Sequence, residues 1–192
     1  MVLKRITLAS AIVAASALPL AAHAESNVSS AASGTLTATA RVNFSITIPR
    51  LLFLQVGTGT LLAANTNIDT IAFTPGVAVI GNSTPVPATA ASGNLGNGGV
   101  TVRIISNVGN VTLAATGPAN LTSGSDTIPW TQISTAITGG ATHPTINGSN
   151  ATFTASGSVV NVNGTWIYSY LNATTPAAGT YTGQVLYTAT SP

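Results

Sequence analysis

Very few side chains in this sequence could perform acid–base or nucleophilic chemistry. Beyond residue 24 the chain has one histidine, His143, and the body of the chain has two carboxylates, Asp69 and Asp126. General acid–base catalysis needs titratable groups close to the reacting bond, and the G-x-S-x-G motif that marks a serine nucleophile is missing. His143 lies in the sequence GGATHP, where an ordinary loop residue is expected. We therefore expect no enzymatic activity and no cofactor.

A short polar run has the spacing that opens a calcium loop. Asn65, Asn67 and Asp69 lie at positions i, i+2 and i+4. Calcium sites normally collect several carboxylates, whereas this run has one and no glutamate follows to close the loop. An Asx-rich turn before a strand is the favoured interpretation. The sequence has no cysteine, so no zinc cluster is expected either.

The aromatic stretch TWIYSY is the strongest candidate for a ligand surface. Trp166, Tyr168 and Tyr170 fall on one face of a predicted strand, and an exposed row of this kind could stack on sugar rings. Ile167 and Leu171 fall on the other face, and a strand that is apolar on both faces is typical of a central, buried strand. Burial in the core is favoured, and the exposed ligand face is the alternative.

The first 24 residues have the pattern of a secretory signal peptide. Lys4 and Arg5 precede an apolar run, and Ala22 and Ala24 are the small residues at positions −3 and −1. We expect cleavage between Ala24 and Glu25, and export without a transmembrane anchor after cleavage.

Removal of that leader changes the charge of the protein. The expected mature chain keeps three cations and three anions, which are Arg41, Arg50, Arg103, Glu25, Asp69 and Asp126. A net charge of zero provides no basic patch for phosphates, so nucleic acid is an improbable partner. It also provides no net repulsion between copies.

Beyond the leader the sequence predicts an all-β protein. Runs rich in Thr, Val and Ile are separated about every ten residues by Gly, Pro and Asn, which favours an antiparallel β-sandwich or barrel. Asn107-Val108-Gly109 predicts a hairpin connection, and Asn163-Gly164 predicts a turn. The predicted strands are 51–56, 68–74, 77–80, 100–106, 110–115, 127–133, 151–156, 159–162, 165–171 and 180–190.

The clearest alternation lies near the expected mature N-terminus, in GTLTATARVNFSITI (34–48). One face of this extended stretch is apolar, and its residues are Leu36, Ala38, Ala40, Val42, Phe44, Ile46 and Ile48. The other face is polar. Such a strand either pairs in its own sheet or completes the sheet of a neighbouring molecule, and the sequence leaves both open.

The order of segments resembles that of bacterial chaperone–usher pilin subunits. A leader, a polar spacer (25–33) and the alternating strand 34–48 come first, and AGTYTGQVLYTATSP closes the chain with Tyr181, Val185 and Tyr187 alternating in it. In that family an immunoglobulin-like Greek-key sandwich lacks one strand and receives it from the next subunit. The resemblance implies that 34–48 is the donated strand, that 180–190 borders the vacant position, and that a periplasmic chaperone and an outer-membrane usher are partners.

We therefore expect residues 34–192 to form one sandwich domain in an exported, non-catalytic subunit of a bacterial surface fibre that self-associates into a homopolymer. The alternative is a secreted carbohydrate- or surface-binding module that acts as a monomer through Trp166, Tyr168 and Tyr170.

Overall fold

The computed structural model describes residues 25–192, so the predicted leader and the Ala24 side of the cleavage site lie outside the described residues. The described residues divide into two units, 25–48 and 49–192. In the first unit, residues 25–48 have exposed side chains and form no strand. The second unit contains ten strands: β1 (Leu52–Val56), β2 (Val86–Pro87), β3 (Gly99–Ser106), β4 (Val111–Thr116), β5 (Asn120–Ser123), β6 (Asp126–Pro129), β7 (Ile133–Gly139), β8 (Ala151–Phe153), β9 (Val160–Tyr170) and β10 (Leu186–Thr190).

The strands form two main antiparallel sheets and one small hairpin. In the larger sheet the order is β1-β3-β9-β2, and β7 pairs with the opposite edge of β9. The smaller sheet has the order β10-β4-β8, and β5 pairs with β6. No α-helix occurs in residues 25–192. The prediction of an all-β antiparallel protein is confirmed at this level.

One hydrophobic core joins the two main sheets. Val102 and Ile104 of β3 pack in the same cluster as Val111 and Leu113 of β4. The burial of β3 and β4 alternates residue by residue, which is what a sheet with one covered face requires. The largest fully buried side chain is Trp166 of β9. Two layers packed face to face fit the predicted β-sandwich.

The predicted turn at Asn163-Gly164 is wrong, because β9 runs straight through it. Gly164 pairs with Val102 on one side and with Gly139 on the other. A Cβ at Gly164 would lie 2.7 Å from the Cβ of Ala141 and 2.7 Å from the backbone oxygen of Thr138. The glycine therefore permits a close approach of neighbouring chain within a strand, and it does not make a turn.

The predicted hairpin at 107–109 is also wrong. β3 pairs with β1 and β9 in the larger sheet, whereas β4 pairs with β10 and β8 in the smaller one. The three residues between them carry the chain from one layer to the other. Both edges of each strand are already occupied, so β3 and β4 face each other across the core instead of pairing.

Three further strand predictions differ from the structure. Residues 68–74 form no strand, although Ile71 and Phe73 pack against the core. Val77–Val79 forms a short 3-10 helix. The predicted strand 127–133 is divided by a second 3-10 helix at Trp130–Gln132, between β6 and β7. The apolar alternation of 68–74 therefore predicted correctly that Ile71 and Phe73 face the core, but it did not show whether the backbone pairs with another strand.

The two faces of β9 predict opposite responses to substitution. Trp166 has no exposed surface, whereas Ile167 points to the outer face and is 40% exposed. Replacing Trp166 with Ala should cost about 3–5 kcal/mol of unfolding free energy, because it leaves a cavity in the core. Replacing Ile167 with Asp should cost about 1 kcal/mol or less, because the carboxylate stays hydrated. Denaturant unfolding measures both, and equal losses would contradict this orientation of β9.

Candidate functional site

The apolar row of residues 34–48 faces solvent in the structure. The seven alternating residues are all exposed, and Val42, Phe44 and Ile46 expose 71%, 89% and 86% of their surface. No strand is assigned anywhere in 25–48. A segment with an exposed apolar row and no backbone hydrogen bond among the described residues is the kind of element that adds to the edge of another sheet.

The polar face of the same segment carries an ion pair. The Arg41 guanidinium donates two hydrogen bonds to the Glu25 carboxylate, from Nε at 2.7 Å and from Nη2 at 2.9 Å. This hydrogen bonding lowers the pKa of Glu25 and raises the pKa of Arg41. Both groups are fully exposed, so the pair adds little stability. It leaves the apolar face unobstructed.

Strand β10 offers a free edge to an incoming strand. It pairs with β4 along Leu186–Thr190, and its other edge has no strand partner among the described residues. Tyr187 and Ala189 point towards the core, whereas Leu186, Thr188 and Thr190 are exposed. An added strand would continue the smaller sheet, and its apolar face would lie on the core side beside Tyr187 and Ala189.

The predicted C-terminal strand 180–190 is shortened to its last five residues. Tyr181 and Val185 lie outside β10, and the Tyr181 hydroxyl donates to the backbone oxygen of Ala177 at 2.9 Å. Thr182 instead forms an isolated antiparallel bridge with Thr122 of β5. A Cβ at Gly183 would lie 3.0 Å from the Trp130 ring, so this stretch packs closely against Trp130. The stretch before β10 therefore contacts the β5–β6 hairpin, and the pairing of β10 with β4 begins only at Leu186.

The predicted aromatic face is turned inwards. Trp166, Tyr168 and Tyr170 are all buried, and Trp166 Nε1 donates to the backbone oxygen of Ala141 at 2.6 Å. The exposed stacking platform weighed in the sequence analysis is therefore not formed by these residues. A sugar ring could not reach them without opening the core.

A polar cluster inside the fold joins β9, β10 and the segment between β7 and β8. Tyr168 Oη and Tyr187 Oη are 2.9 Å apart, and Tyr187 Oη is 2.9 Å from His143 Nε2. The Tyr168 hydroxyl is 3.3 Å from the same nitrogen. The His143 ring also packs edge-on against Trp166, with 4.5 Å between ring centroids. This cluster fixes the core side of β10.

The protonation of this cluster is set by burial. Burial lowers the pKa of His143 to about 4, and a hydrogen bond with the Pro144 backbone opposes the shift. Burial also raises the pKa of Tyr187 to about 12 and raises that of Tyr168. At neutral pH the ring is therefore neutral and the hydroxyls keep their protons. A neutral imidazole has one donor and one acceptor nitrogen, and each tyrosine hydroxyl can both donate and accept, so the three groups can satisfy one another without a net charge.

Sequence reasoning treated His143 as a loop residue and missed this cluster. The separations between 143, 168 and 187 follow no motif, because the three residues meet through tertiary packing. His143 is brought there by a segment that leaves the larger sheet at Gly139 and bridges β4 at Ile146. The one signal in the sequence is a lone histidine in a chain that is almost free of titratable groups.

The remaining polar candidates have structural partners. The Asp69 carboxylate accepts from the Thr58 backbone N–H at 2.6 Å and from its hydroxyl at 2.7 Å, while Asn65 Nδ2 donates to the Thr58 oxygen at 2.9 Å. Asp126 is exposed at the start of β6. Within residues 25–192, no hydrogen bond or ion pair joins His143, Asp69 and Asp126. That part of the chain also contains no group of three acidic, His or Cys residues that could hold a metal ion.

Comparisons with protein-family models, with curated proteins and with solved structures found no match for this chain. In the described part of the chain, no helix has the length and apolar character needed to cross a membrane.

His143 predicts how stability depends on pH. Its pKa is lowered in the folded state, so the unfolded chain binds the proton more tightly. Stability is then complete above pH 6.5 and falls as the pH drops from 6.5 towards 4. We expect a loss of about 1–2 kcal/mol over this window, less than the full shift implies because the ring is partly open to solvent.

The control is His143→Gln, which removes the titration and retains a polar side chain. Denaturant unfolding at several pH values should give a smaller acid loss for this variant than for the parent. Identical slopes for the two proteins would show that His143 does not titrate with folding.

Proposed function

We propose that the chain is an exported, non-catalytic structural or adhesive subunit of a bacterial surface fibre, in which residues 34–48 of one copy add to β10 of the next. The observation that carries this proposal is the exposed apolar row of 34–48, in a segment without strand structure. Burial of seven such side chains would contribute about 1 kcal/mol or more each, enough to make a junction between copies long-lived.

The free edge of β10 supplies the complementary half. Its unpaired N–H and C=O groups can form the hydrogen bonds of a new antiparallel or parallel strand. Tyr187 and Ala189 border the core on that side, where the incoming apolar row would be buried. Each copy therefore carries one donor segment and one acceptor edge, and this head-to-tail pairing generates an open chain of subunits.

Charge supports self-association. The chain from Glu25 onward has three cations and three anions, so copies do not repel each other strongly. A surface with so little net charge promotes association, which is harmful to a protein that must stay soluble at high concentration but is compatible with a subunit that polymerises.

The resemblance to chaperone–usher pilins supports the finer parts of the proposal. They are an immunoglobulin-like Greek-key topology, delivery through the periplasm after signal cleavage at Ala24-Glu25, and placement in a fimbrium. A periplasmic chaperone would cover the free edge before assembly, and an outer-membrane usher would guide the exchange. The alternative of a monomeric sugar-binding module loses support, because its predicted ligand face is buried.

The alternation of 34–48 allows a test with two adjacent substitutions. Phe44→Asp places a carboxylate in the apolar row and should abolish polymer formation by the mature protein. The core cluster contains no charged residue, and the His143 ring beside Tyr187 is neutral at neutral pH, so the carboxylate would be buried without a cation. Asn43→Asp introduces the same group on the polar face and should polymerise normally. Light scattering and electron microscopy of the two variants measure the difference. Equal behaviour would contradict burial of the apolar face.

Removal of the donor segment tests the acceptor edge separately. A protein that starts at Pro49 should remain monomeric and should bind a synthetic peptide of residues 34–48, with a clear rise in its thermal midpoint. The control peptide carries Asp at position 44 and should have no effect. A truncated protein that polymerises unaided would assign assembly to another surface.

A further inference from the structure

The outer face of the larger sheet carries a groove that the proposed fibre junction does not use. It has a volume of about 630 Å³ and is lined by β3, β9, the end of β7 and Leu61. Its floor is made of the outward-facing residues of β3 and β9, on the side of the sheet away from the core. Because successive outward residues are two apart in each strand, the floor is arranged in rows across the sheet.

The central row combines a guanidinium with amides. Strand pairing places Gln55, Arg103 and Asn163 side by side on β1, β3 and β9. The next row consists of hydroxyls, with Thr101, Thr165 and Thr138 aligned on β3, β9 and β7. Polar groups of three kinds therefore converge on an area a few strands wide, about 10–14 Å across at the usual strand spacing.

Two of these six side chains are hydrogen-bonded within the protein, since Gln55 Nε2 donates to backbone oxygens and the Thr101 hydroxyl accepts from Asn94 Nδ2 at 2.8 Å. The other four make no side-chain hydrogen bond among residues 25–192. Among residues 25–192, the Arg103 guanidinium makes no hydrogen bond and no ion pair, since the salt bridge in that range joins Arg41 and Glu25. The side chains of Asn161 and Asn163 are exposed and likewise make no hydrogen bond there. A partly covered arginine without a carboxylate partner is unusual in a chain with so few charges, and it favours an anionic ligand.

The loop that follows β1 borders one side of the groove. Gln55 is only 7% exposed, and its Nε2 donates to the backbone oxygens of Gly57 and Gly59 at 2.9 and 3.1 Å. These bonds hold the loop after β1 against the outer face of the sheet. Leu61 follows in that loop and reaches the groove, where Ile105 provides a second apolar surface.

We infer that this groove binds a hexuronic acid residue of an acidic polysaccharide. One guanidinium matches one carboxylate with paired hydrogen bonds, while the Asn161 and Asn163 amides and the threonine hydroxyls that line the groove match sugar hydroxyls. Leu61 and Ile105 suit the C–H face of a pyranose ring. A single cation is a poor match for a nucleic acid or a phosphate chain, which needs several. The groove lies within 49–192, so this site does not depend on donation of residues 34–48.

The test is an NMR titration of the mature Phe44→Asp variant, which is expected to stay monomeric and keeps every residue of the groove, with glucuronate, galacturonate, glucose and acetate. Glucose lacks the carboxylate and acetate lacks the ring, so each removes one half of the recognition. We expect a hexuronate to bind at least tenfold more tightly than glucose or acetate, with backbone shifts centred on residues 101–105 and 161–165. If acetate bound as tightly as the hexuronates, the groove would recognise only an anion. If glucose bound as tightly, the carboxylate would play no role. Either result would contradict the inference.

Two substitutions assign the site. Arg103→Gln should weaken hexuronate binding at least tenfold with little change in the thermal midpoint, because the Arg103 guanidinium makes no hydrogen bond or ion pair among residues 25–192 and Gln keeps part of the aliphatic stem. Arg41→Gln changes the net charge equally outside the groove and should bind like the parent. The inference would be overturned if Arg103→Gln bound hexuronate as tightly as the parent. It would also be overturned if neither hexuronate showed saturable binding up to about 10 mM.

Discussion

Burial of an apolar strand face is favourable only if the backbone N–H and C=O groups buried with it find hydrogen-bond partners. In this chain, residues 34–48 present an exposed apolar face without strand structure, and the outer edge of β10 has no strand partner among the described residues. The exposed apolar row is unfavourable in water, and the edge of β10 offers the backbone partners that would allow it to be buried. The proposed assembly follows from satisfying both between different copies.

The core is organised so that β10 presents its edge in a fixed orientation. Trp166 fills the space between the sheets, and its indole N–H is bonded to Ala141. The same segment delivers His143 to the hydroxyls of Tyr168 and Tyr187, which joins a strand of the larger sheet to the last strand of the smaller one. Polar bonds inside an otherwise apolar core specify one alignment of the two strands, because a displaced hydroxyl or imidazole would be left unsatisfied. β10 is thereby held to the rest of the fold through its side chains as well as through β4.

Local sequence predicted the strands in which apolar residues alternate or form a short continuous run. Residues 100–106 and 110–115 alternate cleanly and correspond to β3 and β4, and 51–56 corresponds to β1. Their pairing was not predictable, because the Asn107-Val108-Gly109 signal is compatible with a hairpin and with a crossing between layers. Gly164 was mistaken for a turn residue, since the reason for a glycine there is the proximity of Ala141, which lies far away in sequence. The candidate functional residues divide in the same way between those that local sequence predicts and those that it does not. The apolar row of 34–48 can be recognised from alternation alone, whereas the His143 cluster and the Arg103 row exist only after strands distant in sequence are placed side by side.

Disulfide trapping between copies tests the central claim most directly, because the chain contains no cysteine. One population would carry Ala189→Cys on the core side of β10. The other would carry a single cysteine at position 42, 44 or 46, or at 43 or 45 as matched controls on the polar face. A strand added to β10 brings same-face Cβ atoms within about 5.5 Å, close to disulfide distance. Mixing before assembly should therefore give crosslinked pairs from the even positions in this set and few from the odd ones. Equal crosslinking from both faces, or none from any position, would contradict donation of residues 34–48 to β10.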